Sequence, residues 1–197
     1  MPYFTALAAV IFVIVVIILC TDSTEKCQNT VSSIDGYSYC VVDIEDLEQQ
    51  RVADTFAQVN NNIIKLLAHL KANSYDKENA WRVKNLLNNY NPDNLMEISA
   101  FSAGSTTSYT IDKGSVLALC IKNKIDGNFV DMNTLMFVVI HELAHLAVET
   151  IGHGEEFIDA FTFLLKEGIS AGVYKFENYY INPVYYCKMV INSTPLG

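Results

Sequence analysis

The alternation of apolar and polar positions divides the chain into four kinds of segment. Residues 6–20 (ALAAVIFVIVVIILC) are apolar without interruption, and no charged side chain occurs before Asp22. Residues 44–72 and 77–89 carry apolar side chains at helical spacing, which predicts two amphipathic helices, the second stopped before Pro92. Asn60, Asn61 and Asn62 weaken the middle of the first. Three short β-prone runs follow at 95–101, 107–111 and 115–122, and Asp112-Lys113-Gly114 between the last two reads as a hairpin turn. Residues 133–150 (NTLMFVVIHELAHLAVET) contain no Gly or Pro and are apolar around nearly the whole circumference, which predicts a buried helix. Asp131 or Asn133 is placed to cap its start and Gly152 to follow its last turn. Residues 155–168 predict a further amphipathic helix, with Glu155 and Glu156 suited to its positive N-terminal end. Helices, then a small, mostly antiparallel sheet, then two packed helices make an α+β arrangement.

The N-terminal apolar run, extended by Tyr3, Phe4 and Thr5, approaches the ~20 residues that span a bilayer as a helix. No Lys or Arg precedes it and its end lacks a small-residue cleavage pattern, so the expectation is a retained anchor rather than a cleaved signal. The expected organisation is a transmembrane signal-anchor at 1–21, a polar linker at 22–43 and one domain at 44–197, giving a single-pass membrane protein. The charge balance, 13 basic against 22 acidic residues for a net −9, shows no basic patch and argues against a nucleic-acid partner.

Chemistry concentrates in the buried helix. His141-Glu142-Leu143-Ala144-His145 is an H-E-x-x-H sequence, and His153 follows across Gly152. Positions i and i+4 of a helix share one face, so His141 and His145 can aim at one point. Three protein ligands with a fourth position open define a catalytic rather than a structural Zn²⁺ site. Glu142, beside the first ligand, is placed to act as general base on a metal-activated water. His69, alone in another helical stretch, is expected to be a surface or core residue and not a ligand.

These residues resemble the motif of SprT-like and WLM metallopeptidases, H-E-x-x-H followed by H-G-x-x-F, present here as His141, Glu142, His145 and then His153-Gly154-Glu155-Glu156-Phe157. The run from Ser108 to Tyr186, about eighty residues, looks like the WLM-like metallopeptidases of nucleocytoplasmic large DNA viruses, through "KGSVLALCIKNK", "DMNTLMFVVIHELAHL", "GHGEEF" and "NPVYYC". The resemblance implies a zincin-like fold, Zn²⁺ on His141, His145 and His153, and Glu142 as base. It implies hydrolysis of a protein or peptide substrate but does not identify one. Proteases of these families commonly act on DNA-bound proteins, and the acidic charge balance here departs from that role.

Other assignments stay open. An oxyanion stabiliser is usually needed in such hydrolysis; Tyr179, Tyr180 and Tyr185 in the tyrosine-rich tail offer phenol donors, with aromatic packing as the alternative for each. Glu155 and Glu156 read as helix-start acids rather than a fourth ligand. Outside the anchor, Cys27, Cys40, Cys120 and Cys187 allow three connectivities. Cys27 with Cys40 would close a short loop, and Cys120 with Cys187 would tie a strand to the tail. If oxidised, they place the domain on the lumenal, extracytoplasmic side or in a viral membrane. The Asn192-Ser193-Thr194 sequon agrees with that side. An edge strand beside the metal helix would pair with an extended substrate by strand addition. The alternatives to an enzyme are a catalytically silent, zinc-stabilised membrane or virion component, and a binding module whose apolar helices dock a partner.

Overall fold

Residue pattern and tertiary contact together set the elements in the computed structural model, which describes residues 27–42, 46–98, 107–123 and 125–197. In chain order they are β1 (Cys27–Val31), β2 (Ser38–Val42), α1 (Asp46–Ala72), α2 (Lys77–Asn89), a 3-10 turn (Pro92–Asn94), β3 (Leu95–Glu97), β4 (Tyr109–Ile111), β5 (Val116–Leu119), α3 (Met132–Ala147), α4 (Glu155–Ser170), β6 (Val184–Tyr186) and β7 (Met189–Ile191). The class is α+β. α1 continues through its three asparagines because Asn60 is buried: its amide donates to Tyr39 Oη (3.2 Å) and its carbonyl accepts from Tyr90 Oη (2.6 Å). Two tyrosines thus satisfy a side chain that would otherwise weaken the helix.

Five strands form one sheet in the order β1-β2-β3-β5-β4. The pairs β1–β2 and β4–β5 are antiparallel, whereas β2–β3 and β3–β5 are parallel. The sheet is therefore mixed, which corrects the expectation of a mostly antiparallel one. The physical reason lies in the stretch read as linker: residues 27–42 form a hairpin that adds to β3 and places α1 and α2 in the crossover from β2 to β3. The hairpin is fastened by the Cys27–Cys40 disulfide. Its turn is tied to α1, since Ser32 Oγ (2.8 Å), Ser33 N (2.7 Å) and Ser33 Oγ (2.9 Å) all donate to the Asp54 carboxylate. Desolvation would raise the Asp54 carboxyl, but these hydrogen bonds outweigh it and hold it below its usual value.

α3 is the most heavily buried of the described helices. Asp131 caps its first turn by accepting from Thr134 N, and side chains such as Leu135, Val139, Ile140 and Leu143 are fully buried against α2, α4 and β4. The helix ends at Ala147, short of the predicted Thr150, with Val148 already extended. Its last carbonyls are taken from outside the helix: Asn89 Nδ2 donates to Leu146 O (2.9 Å), Asn85 Nδ2 to Ala147 O (3.3 Å) and Lys113 Nζ to His145 O (3.5 Å). Gly152 is left-handed (φ +89°) as expected, but it bends the following loop instead of closing the helix.

The β4–β5 turn runs through three left-handed residues, Asp112, Lys113 and Gly114 (φ +43°, +55° and +104°). Only glycine suits the last of them, because a Cβ at Gly114 would lie 2.8 Å from Asn89 O and 3.0 Å from Leu146 Cδ2. The turn thus packs directly on α2 and α3. A second, two-stranded sheet, β6–β7, is joined to the end of β5 by the Cys120–Cys187 disulfide. Beside it, the buried Tyr186 hydroxyl bonds Ser108 Oγ and accepts from Cys120 N (3.1 Å).

The single-pass membrane localisation expected from the sequence is corrected. No helix among the described residues is long and apolar enough to cross a membrane, and the 1–21 segment on which that expectation rested lies outside them. The two disulfides are bonds characteristic of an oxidising environment.

Candidate metal centre

His141 and His145 stand one turn apart on α3, their ring centroids 5.2 Å from each other. The chain leaves α3 at Val148, bends at Gly152 and returns as α4 at Glu155, which carries His153 back to the same point. His153 Nε2 comes within 3.1 Å of His141 Nε2, and ligand atoms of all three imidazoles lie within 4.8 Å of one another. Phe157, in the first turn of α4 and fully buried, supports the cluster. Its ring stacks on His145 (4.3 Å) and meets His141 and His153 edge-on (both 4.8 Å), with Phe161 packed against His141 (5.1 Å).

Electrostatics keep the paired imidazoles neutral. Burial, followed by the neighbouring imidazoles His145 and His153, lowers His141 to about 3; burial, followed by His153 and Lys113, lowers His145 to about 4. Neutral rings present lone pairs, the form in which histidine ligates a metal. The spacing fits as well. Two nitrogens ~2.0–2.1 Å from one tetrahedral ion sit ~3.3 Å apart, close to the 3.1 Å between His141 and His153. The donor set could therefore hold one divalent ion, and three nitrogen donors suit Zn²⁺.

Glu142 faces the opposite demand. It is 4 % exposed, and burial raises its carboxyl to about 7, opposed by the hydrogen bond that Thr110 Oγ1 donates to Oε2 at 2.8 Å. Thr110 sits on β4, so the edge strand reaches the acidic residue of α3 directly. Sequence reading predicted the strand but not this contact, which has no local signal.

The cluster opens into a cleft of about 1200 Å³. Its walls come from β4, from the loop and first turn around Ile151 and Ile158, and from residues 189–195 of the C-terminal hairpin. The contribution of that hairpin was not legible in the sequence. The three tyrosines considered as oxyanion stabilisers stand elsewhere. Tyr179 is buried against Phe137 (4.7 Å), Tyr180 and Tyr185 are largely exposed, and none lines the cleft. Tyr109 of β4 is the tyrosine in its wall. Glu155 and Glu156 lie in the first turn of α4 and outside the histidine cluster. His69 instead bonds Glu167 Oε2 at 2.8 Å, joining α1 to α4. Asn192 is exposed on the C-terminal wall.

No family model matches the chain. It is 41% identical over 90 residues to the uncharacterized protein R325 of Acanthamoeba polyphaga mimivirus, covering 46% of each chain. Over 69 residues it is 42% identical to the uncharacterized protein 136R of Invertebrate iridescent virus 6 (34% of this chain, 38% of that one). Over 67 residues it is 42% identical to the uncharacterized protein 042R of Invertebrate iridescent virus 3 (34% and 42%). All three relatives are viral proteins, and the chain spans less than half the length of each. Among solved structures, it overlaps Wss1 from Saccharomyces cerevisiae at a TM-score of 0.36 and 21% identity, over 41% of this chain and 61% of that one.

Proposed function

We propose that this chain is a zinc-dependent peptidase, a viral relative of the WLM and SprT-like metallopeptidases, hydrolysing peptide bonds in a protein or peptide substrate. The observation that carries the reading is the convergence of three imidazoles, two of them held neutral, at the floor of a cleft beside a buried glutamate with a raised pKa.

In this reading His141, His145 and His153 would hold the ion, with Phe157 fixing their ring planes. A divalent ion there would supply Lewis acidity and lower the pKa of a water molecule. Glu142 is the general base: Thr110 engages Oε2, and Oε1 takes the proton from the attacking water and later returns it to the leaving amine. In the metal-free chain burial raises this carboxyl above the usual 4.5, which favours its taking up a proton. The cleft exceeds the roughly 300–1,000 Å³ of a small-molecule pocket. β4, the outermost strand of the described sheet, borders it and offers backbone pairing to an extended chain.

Metal analysis of the purified chain beside Glu142→Gln tests the reading. The expected result is about one zinc per chain in both proteins, with peptide hydrolysis in the wild type and its loss in the variant. Zinc without hydrolysis in either protein would replace the enzyme with a zinc-stabilised structural or interaction protein. No stoichiometric zinc would overturn both.

A further inference from the structure

Six large apolar side chains line the cleft while keeping substantial exposure, from 38% to 97%: Tyr109 and Ile111 of β4, Ile151 and Ile158 around the start of α4, and Met189 and Val190 of β7. Each pair comes from a different part of the sequence, and all three pairs meet around the imidazole cluster. Scattered exposed apolar residues are ordinary on a protein surface, but a set gathered around one cleft marks a binding surface.

The charged groups of the cleft do not offset this apolar character. Lys113 directs its amine to the carbonyls of Thr150 (2.8 Å) and His145 (3.5 Å), so it serves the end of α3. Glu142 is buried beneath the cleft and bonded to Thr110. Asp112 and Glu149 also line the cleft but are exposed, so solvent screens their charge. A wall of this composition recognises a ligand by removing apolar area from water rather than by pairing charge.

We infer that the cleft selects extended polypeptide segments rich in large aliphatic or aromatic residues, with Ile111, Ile158 and Met189 as specificity-determining side chains on its three walls. The inference rests on the peptidase reading of the same site and names its substrate class. The occupant is a polypeptide because the cleft is too large for a small ligand and a strand edge runs along it. It is apolar because exposed aliphatic or aromatic side chains stand on all three walls. The backbone of the bound segment pairs along β4, and alternate side chains of the segment turn toward the apolar walls. Such segments are buried in folded proteins, so the substrates are unfolded, partly folded or loop-exposed chains.

Two measurements on the full-length, disulfide-intact chain test this. In the first, the zinc-loaded protein digests a proteome-derived peptide library and the cleavage sites are mapped by mass spectrometry. In the second, Glu142→Gln binds a fluorescent peptide rich in Leu, Ile and Phe, compared with the same peptide carrying Ser and Asn at those positions. Expected are cleavage windows enriched in large apolar residues and at least tenfold tighter binding of the apolar peptide. Ile111→Lys, Ile158→Lys and Met189→Lys should each weaken that binding three- to tenfold with little change in melting temperature, since all three side chains are exposed. Cleavage without apolar enrichment, equal binding of the two peptides, or preference unchanged in all three variants would overturn the inference. Preferential binding of the apolar peptide with no cleavage by the wild type would sink the peptidase reading and leave the specificity of the cleft standing.

Discussion

Replacing Glu142 with Gln is expected to stabilise the metal-free protein above neutral pH, while removing the proposed base. Glu142 is almost completely buried, and burial lifts its carboxyl from 4.5 to about 7 against the Thr110 hydrogen bond. Between those values the folded chain holds a proton that the unfolded chain has released, so stability falls as pH rises through the window. The contribution of the protonated carboxyl is complete below 4.5 and gone above about 7. At ~1.36 kcal/mol per pH unit, that interval corresponds to at most about 3 kcal/mol. Gln has the same shape, can still accept from Thr110, and does not ionise. His141 and His145 titrate in the other sense: held at about 3 and about 4, below their usual 6.5, they destabilise the fold as pH falls. Both proteins contain them, so they cancel in the difference.

The assay is urea unfolding followed by circular dichroism, in EDTA, from pH 4 to pH 8. The variant and wild type should be equally stable at pH 4. The variant should gain steadily to at most about 3 kcal/mol at pH 8, or roughly 6–12 °C in Tm for a chain of this size. A difference independent of pH, or a variant less stable than wild type at pH 8, would refute the reasoning. Either outcome would mean that the fold does not disfavour the Glu142 carboxylate, leaving it without a pKa poised near neutrality.

Three further outcomes follow from the packing. Phe157→Ala removes the ring on which all three imidazoles rest and should lower stability by about 3–5 kcal/mol; zinc retained through dialysis should fall with it, and full retention would show that the imidazoles hold their positions without the ring. Gly114→Ala forces a side chain into a left-handed position against Asn89 O, and a denaturation midpoint should report a loss of about 2–4 kcal/mol. Cys187→Ser opens a link between residues 67 positions apart and should remove about 2–4 kcal/mol, seen as convergence with wild type once reductant is added.

What the sequence revealed and what it hid divide along the range of the contact. The α2 boundaries follow from periodicity, and the sequence narrows the α3 cap to Asp131 or Asn133. The convergence of His141, His145 and His153 follows from helical spacing together with the Gly152 turn and the motif. All of these depend on residues close in sequence. The end of α3 did not follow from its own sequence, because Asn85, Asn89 and Lys113 reach in from α2 and the β4–β5 turn to take its carbonyls. The parallel pairings were hidden for a similar reason. A polar stretch with two cysteines reads as a linker until Asp54, on the following helix, gathers Ser32 and Ser33. Among the tyrosines, residue type gave no means of choosing: Tyr179 packs on Phe137, while Tyr109, on a strand far from the tail, lines the cleft.

The cleft places groups that oppose folding where the core is deepest. Glu142 and the two helical histidines share α3 with the most thoroughly buried side chains, so their desolvation is offset by the apolar contacts of the same helix. Each wall is then fixed independently: β4 by the Gly114 turn and its pairing with β5, α4 by its packing on α3, and the C-terminal hairpin by Cys120–Cys187 and Tyr186. Of these, the second contacts the imidazole rings directly, through Phe157. Ion retention and substrate preference should therefore separate under mutation. Loosening the C-terminal hairpin should weaken binding of the apolar segment and leave the ion in place, whereas disturbing the α3–α4 contact should impair both, because one ring carries the ligands and its neighbour Ile158 lines the cleft.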